Sequence, residues 1–136
     1  MKKTPDLFVS VSKTSKHHIL IVDDNPDNIL LLQFMLEGAG YQISSTIYGR
    51  DALEMVEIDT PDLIFLDLMM PDINGIEVAS CIRSNPDTQD IPIVLVTAYN
   101  LYDLEDKDCK LLDGMLAKPI EENKLFSLLD CLIKDK

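Results

Sequence analysis

The sequence predicts a doubly wound α/β domain: a parallel five-stranded sheet with helices on both faces. Three observations predict it. From His17 onward, short β-type runs alternate with helix-length stretches through five βα repeats. Three of the runs, Ile19–Val22 (ILIV), Leu63–Leu66 (LIFL) and Ile93–Val96 (IVLV), are apolar at every position, as strands covered on both faces must be. At 136 residues and 46% hydrophobic composition, the chain can bury one ordinary core and has no room for a second full domain.

Residues 1–16 are polar, contain Pro5 and hold no sustained period, which predicts a flexible or loosely docked extension before a folded domain over 17–136. The first strand, Ile19–Val22, leads to Asn25, which can cap a helix whose first residue is Pro26. That helix carries Ile29, Leu32 and Leu36 at core spacing and stops at Gly38 and Gly40. Gln42–Thr46 is the second strand, and the helix Arg50–Ile58 follows, ended by Pro61. After Leu63–Leu66 comes a helix over Gly75–Ser84, closed before Pro86. Ile93–Val96 precedes a weaker helical pattern over Leu101–Leu112. Met115–Ala117 is the last strand, and Glu121–Lys134 the last helix, with Leu125, Leu129, Leu132 and Ile133 on one stripe.

Composition excludes several classes. A formal charge of −12 with no basic stripe repels a nucleic-acid backbone and an anionic membrane surface alike. Cys81, Cys109 and Cys131 are odd in number and far apart, without metal-ligand spacing, and read as reduced core or helix-face residues. No apolar run is long enough for a membrane span or a signal peptide, so a cytoplasmic protein is expected.

In doubly wound sheets, ligands bind beyond the carboxyl ends of the strands. The residues closing those strands here are polar: Asp23 and Asp24 after the first, Asp67 after the third, Thr97 after the fourth, Lys118 and Pro119 after the fifth. Convergence of three carboxylates costs free energy by mutual repulsion, which a hard divalent cation relieves. Magnesium fits best, because it takes a few carboxylates and keeps positions for water and phosphate oxygens; the D-x-D-x-D-G spacing of calcium loops is missing. One carboxylate can then attack phosphorus and form an acyl phosphate, while Thr97 and Lys118 contact the remaining phosphoryl oxygens. Taken singly, each residue has an ordinary reading: Asp23 or Asp24 as a helix cap, Asp67 as turn chemistry, Lys118 as an exposed charge. Four separate strand ends, each carrying the needed group, favour a site. His17 and His18 precede the first strand, away from the acidic patch, and read as surface residues; Met69 and Met70 read as loop or core filling. Asp103, Glu105, Asp106 and Asp108 read as a solvated helix face.

With these residues in place, the sequence resembles the receiver domain of bacterial two-component response regulators. The resemblance rests on ILIVDDNPDN (Ile19–Asn28), PDLIFLDLMMPDINGIEV (Pro61–Val78), IPIVLVTA (Ile91–Ala98) and LAKPI (Leu116–Ile120), and with its spacing covers nearly everything from residue 18 onward. It implies a flavodoxin-like fold and a phosphorylation switch without a fused output domain. Asp67 would be the phosphoacceptor, and Asp23, Asp24, Asp67 and the Met69 backbone carbonyl would be metal ligands. Thr97 would be the switch hydroxyl, Lys118 the phosphate-binding lysine, and Lys118–Pro119 a cis peptide bond. The implied partners are a histidine kinase or phosphotransfer protein and a downstream protein read by contact. The family's usual aromatic residue three positions before the lysine is Met115 here, and the stretch from Asn100 to Gly114 is shorter than in many members. A haloacid-dehalogenase-type phosphohydrolase also uses an Asp after a strand but needs a second Asp where this chain has Met69. An unphosphorylated receiver-like binding module is the other alternative, against which stands the intact set of Asp23, Asp24, Asp67, Thr97 and Lys118. A P-loop switch is excluded by the absence of its motif.

Overall fold

The computed structural model describes residues 17–98 and 104–133. Their elements alternate as β1 (His18–Val22), α1 (Pro26–Gly38), β2 (Gln42–Thr46), α2 (Gly49–Ile58), β3 (Leu63–Leu66), α3 (Gly75–Ser84), β4 (Ile93–Thr97), α4 (Asp106–Cys109), β5 (Gly114–Ala117) and α5 (Glu122–Leu132). The strands form one parallel sheet in the order β2-β1-β3-β4-β5, the flavodoxin-like arrangement. The chain winds outward from β1 to β2, then crosses back over β1 to β3. The winding direction therefore reverses between β1 and β3, and the crevice at a doubly wound sheet opens there.

The apolar runs divide by strand periodicity into two cores. Ile19, Ile21, Leu63, Phe65, Val94 and Val96 face α1 and α5, whose Ile29, Leu32, Leu36, Leu125 and Leu129 close that layer. Leu20, Val22, Ile64, Leu66 and Ile93 face α2 and α3, which contribute Ala52, Val56, Val78, Ala79 and Ile82. The central strands thus need apolar residues on both faces, as their unbroken runs foretold. Edge strands β2 and β5 are only partly covered and are correspondingly mixed in composition.

Local signals fix the helix ends that matter for the site. The Asn25 side chain accepts the Asp27 amide, with Pro26 in the first helical position. At the other end of α1, Gly40 adopts φ 97°, the Tyr41 amide donates to Leu36 O (3.1 Å), and the Gly40 amide to Glu37 O (3.0 Å). This left-handed turn satisfies two terminal carbonyls, and only glycine adopts it without strain. Asn74 and Glu77 form a reciprocal capping box at the start of α3.

Two expectations need correction. The helix expected over Leu101–Leu112 is confined, among the described residues, to Asp106–Cys109; 99–103 lie outside them. Arg83 reaches across from α3, its Nε donating to the Leu111 carbonyl (3.0 Å) and its Nη2 to Asp113 (2.6 Å). The segment after Cys109 continues as turns, the Leu111 amide donating to Asp108 O and the Leu112 amide to Cys109 O (both 3.1 Å), and these tertiary bonds fasten it to α3. His18 is no plain surface residue either: its side chain is mostly buried, and Nε2 lies 2.7 Å from Ser44 Oγ. The cysteines follow the helix-face reading: all three are free and lie on helices, Cys81 and Cys131 exposed and Cys109 half-buried. The extension 1–16 lies outside the described residues. No described helix is long and apolar enough to cross a membrane.

Candidate functional site

Parallel register builds the site. Val22 pairs with Leu66, so the next residues, Asp23 and Asp67, leave the sheet side by side at the switch point. Both remain tied to it, the Asp67 amide donating to Val22 O (2.9 Å) and the Asp23 amide to Thr46 O (3.2 Å). Asp23 and Asp67 are buried, at 5% and 6% exposure, whereas Asp24 is exposed. Each of the three offers an oxygen within 4.8 Å of the others.

Among the described residues, one cation faces this cluster. Lys118 follows β5, its amide donating to Thr97 O (3.1 Å), and its Nζ lies 2.9 Å from Asp23 Oδ2 and 3.6 Å from Asp67 Oδ1. The Lys118–Pro119 peptide is cis. Thr97 closes β4 beside Ala117 and is 1% exposed. Asp23 is further held by the Asn25 amide on Oδ1 (2.9 Å), which orients it while α1 begins.

Burial, reinforced by the Asp23 carboxylate, pushes the Asp67 carboxyl up to about 6, against the opposing pull of Lys118. A single ammonium thus falls short of neutralising the cluster. Oxygen-only donors, a surplus of negative charge and one exposed carboxylate suit a small hard cation such as magnesium, with room for water or phosphate oxygens.

The loop after β3 shapes the remaining wall. Gly75, the first residue of α3, donates its amide to Leu68 O (2.7 Å), and a Cβ there would overlap the Asp67 carbonyl oxygen. Met69 lies on this loop with its side chain 48% exposed. Asp72 reaches to the start of α2, where it accepts the amides of Gly49 (3.1 Å) and Arg50 (2.9 Å).

The profile of the response regulator receiver domain matches residues 19–130. This chain belongs to the response-regulator receiver family. Response regulator PleD of Caulobacter vibrioides is 38% identical over 121 residues, which are 87% of this receiver chain but only 26% of PleD. The polar-differentiation response regulator DivK of Brucella anthropi is 27% identical, over 86% of this chain and 96% of DivK. Among solved structures, the response regulator TrrA of Thermotoga maritima, in complex with magnesium and BeF, superposes with a TM-score of 0.78. It is 34% identical, and the match covers 86% of this chain and 99% of that one.

The receiver fold therefore brings together Asp23, Asp24, Asp67 and Lys118, with Thr97 on the adjoining strand end. Met115, on β5, is 40% exposed and lines a surface hollow with Lys124, Ser127 and Leu128 of α5. Sequence reading passed over Asp72 and Arg83. Asp72 directly follows Pro71, which marks a turn, but its helix partner Gly49 is 23 residues away, and no local pattern signals that Arg83 joins Gln89 and Ile91 to Leu111 and Asp113.

Proposed function

We propose that this receiver is a phosphorylation switch in which Asp67 takes a phosphoryl group from a histidine kinase or phosphotransfer protein. The carrying observation is the cluster of Asp23, Asp24 and Asp67 within 4.8 Å, with Lys118 Nζ against two of its members. Asp23, Asp24, Asp67 and the Met69 carbonyl would hold a magnesium ion. When bound, that ion supplies charge compensation for the carboxylates and for the transferring phosphoryl oxygens.

The chain's own groups do the rest. Asp67 attacks phosphorus through a carboxylate oxygen, the bond from phosphorus to the donor nitrogen breaks, and an acyl phosphate remains. Lys118, freed from sharing its charge with an ionised Asp67, donates to a phosphoryl oxygen, and Thr97 donates its hydroxyl to another. Burial of Asp67 keeps bulk water from the acyl phosphate, so that the signal outlives the encounter with its donor. The inward pull on Thr97 biases two surface shapes, and a downstream protein that prefers one reads the state by contact. This is a cytoplasmic signalling role without nucleic-acid or membrane binding. The self-catalysed gain and loss of phosphate is regulatory rather than a metabolic activity.

The test is incubation with acetyl phosphate followed by intact mass. The wild-type chain gains one phosphoryl group with magnesium and none with chelator, and Asp67→Asn gains none. Stable labelling of the Asn variant would refute the assignment of Asp67. A companion titration follows thermal unfolding: magnesium raises the melting temperature by linkage, and Asp24→Ala weakens that response.

A further inference from the structure

The loop from Asp67 to Asn74 carries Met69, and its hold on the domain is uneven. At its far end it is locked to α3, by the Gly75 amide on the Leu68 carbonyl (2.7 Å) and by the reciprocal bonds between Asn74 and Glu77 (2.9 and 3.0 Å). Between those points Met69 is about half exposed and offers little packing of its own. The middle of the loop is held by partial packing of Met70 and Ile73 against the core and by Asp72, whose two carboxylate oxygens take separate amides, Gly49 at 3.1 Å and Arg50 at 2.9 Å.

Those amides are the first of α2 and have no partner within the helix. The residue that would ordinarily serve them, Tyr48 at the cap, makes no side-chain capping bond. The cap of α2 is therefore supplied from the β3–α3 loop. Packing repeats the connection: a Cβ on Gly49 would come within 2.7 Å of Ile73 Cγ1 and 3.3 Å of the Ile73 carbonyl, so the loop lies directly against the start of the helix.

From this arrangement we infer that Asp72 is a positioning residue for the metal site, holding the Leu68–Met70 backbone in its ligand-presenting form by anchoring the loop to α2. The inference rests on the metal binding proposed above and assigns that site a support on another element. It also gives the site a line to α2: a change in the loop on metal or phosphoryl binding reaches the helix through the two Asp72 bonds. The carboxylate is matched to the task because it accepts two amides at once. An asparagine accepts one and turns a donor toward the other, and an alanine accepts neither.

The experiment compares full-length wild type, Asp72→Asn, Asp72→Ala and Asp51→Ala by magnesium titration in two-dimensional NMR. Asp51, also in the first turn of α2 and exposed, removes the same helix-end charge without touching the loop. Loss of a residue that orients a metal ligand typically weakens affinity by ~10-fold or more. Asp72→Ala should therefore raise the magnesium dissociation constant about tenfold, Asp72→Asn by less, and Asp51→Ala hardly at all. Magnesium should shift the Gly49 and Arg50 amide resonances in wild type and leave them still in Asp72→Ala. In the metal-free state, the Met69 and Met70 amides should exchange faster in that variant. If wild type binds magnesium and Asp72→Ala binds it equally, this role is overturned and the proposed function stands. The role is also overturned if Asp51→Ala loses as much as Asp72→Ala. If wild type ignores magnesium, the metal reading itself falls and takes this role with it.

Discussion

Replacing Gly75 with alanine adds one methyl group where the fold has only backbone. The new carbon would overlap the Asp67 carbonyl oxygen and lie 3.1 Å from both Asp67 C and Leu68 Cα. No side chain stands in the way, so no change of rotamer can relieve the contact; the loop must move from α3. Forcing a methylene into a packed site costs about 1–3 kcal/mol. Displacement also stretches the 2.7 Å bond from the Gly75 amide to Leu68 O, worth about 1 kcal/mol. Against this stands the stiffening of the unfolded chain by alanine, about 0.4–1 kcal/mol. The net loss is about 1–4 kcal/mol, or a melting temperature lower by roughly 3–16 °C for a domain of this size. Calorimetry without metal reads the loss. Gly38→Ala is the control, because a Cβ there meets nothing within 4 Å, and the same stiffening should leave it unchanged or slightly stabilised. A Gly75→Ala protein melting within about a degree of wild type would refute the steric argument, as would an equal loss at Gly38.

Three further outcomes follow from particular contacts. Burial and Asp23 raise the Asp67 carboxyl to about 6, so the native state binds this proton more tightly than the unfolded chain does. The stability it contributes is complete below the ordinary carboxylate range and is lost as pH rises through about 6. Metal-free Asp67→Asn should therefore be more stable than wild type at pH 7, by roughly 2–3 kcal/mol, with the gap closing toward pH 4; urea titrations giving an equal or weaker variant at pH 7 would contradict this. Arg83 donates to the carbonyls of Leu111 (3.0 Å), Gln89 (2.7 Å) and Ile91 (2.7 Å) and pairs with Asp113 (2.6 Å), so Arg83→Met should cost about 2–4 kcal/mol in the same titrations. Met115→Ala removes a side chain already 40% exposed, and should cost no more than about 1 kcal/mol and leave labelling by acetyl phosphate intact; a variant that folds but no longer labels would show that Met115 reaches the site.

What could be read in advance follows from how far each cause lies from its effect along the chain. Ile19–Val22 and Leu63–Leu66 announce buried strands because each residue carries its own burial requirement, and Asn25 before Pro26 announces a helix start within two residues. The acidic cluster was legible by one further step, since the residue after a central strand in such a sheet must lie at the crevice. The cap of α2 was not legible, because Gly49 and Asp72 are 23 residues apart and only the finished fold brings them together. The contact that holds the end of this segment was not legible either: Arg83, 28 residues before Leu111, binds its carbonyl across the fold. His18 looked like a surface residue because nothing near it in sequence reveals Ser44 across the strand pair.

The reversal of winding between β1 and β3 bears on the order in which this protein folds. Asp23 and Asp67 become neighbours only when β3 adds to β1, after α1, β2 and α2 have been set aside from the line between them. A nascent chain that has formed β1, α1 and β2 already holds the adjacent Asp23 and Asp24, yet it lacks the third carboxylate that completes the cluster. The electrostatic cost of assembling the site therefore falls on the step that pairs β3 with β1, where the apolar contacts of Leu63, Ile64, Phe65 and Leu66 are gained at the same moment. A cation that binds only the completed crevice, and not the state before β3 joins β1, would lengthen the lifetime of the native state rather than hasten its formation.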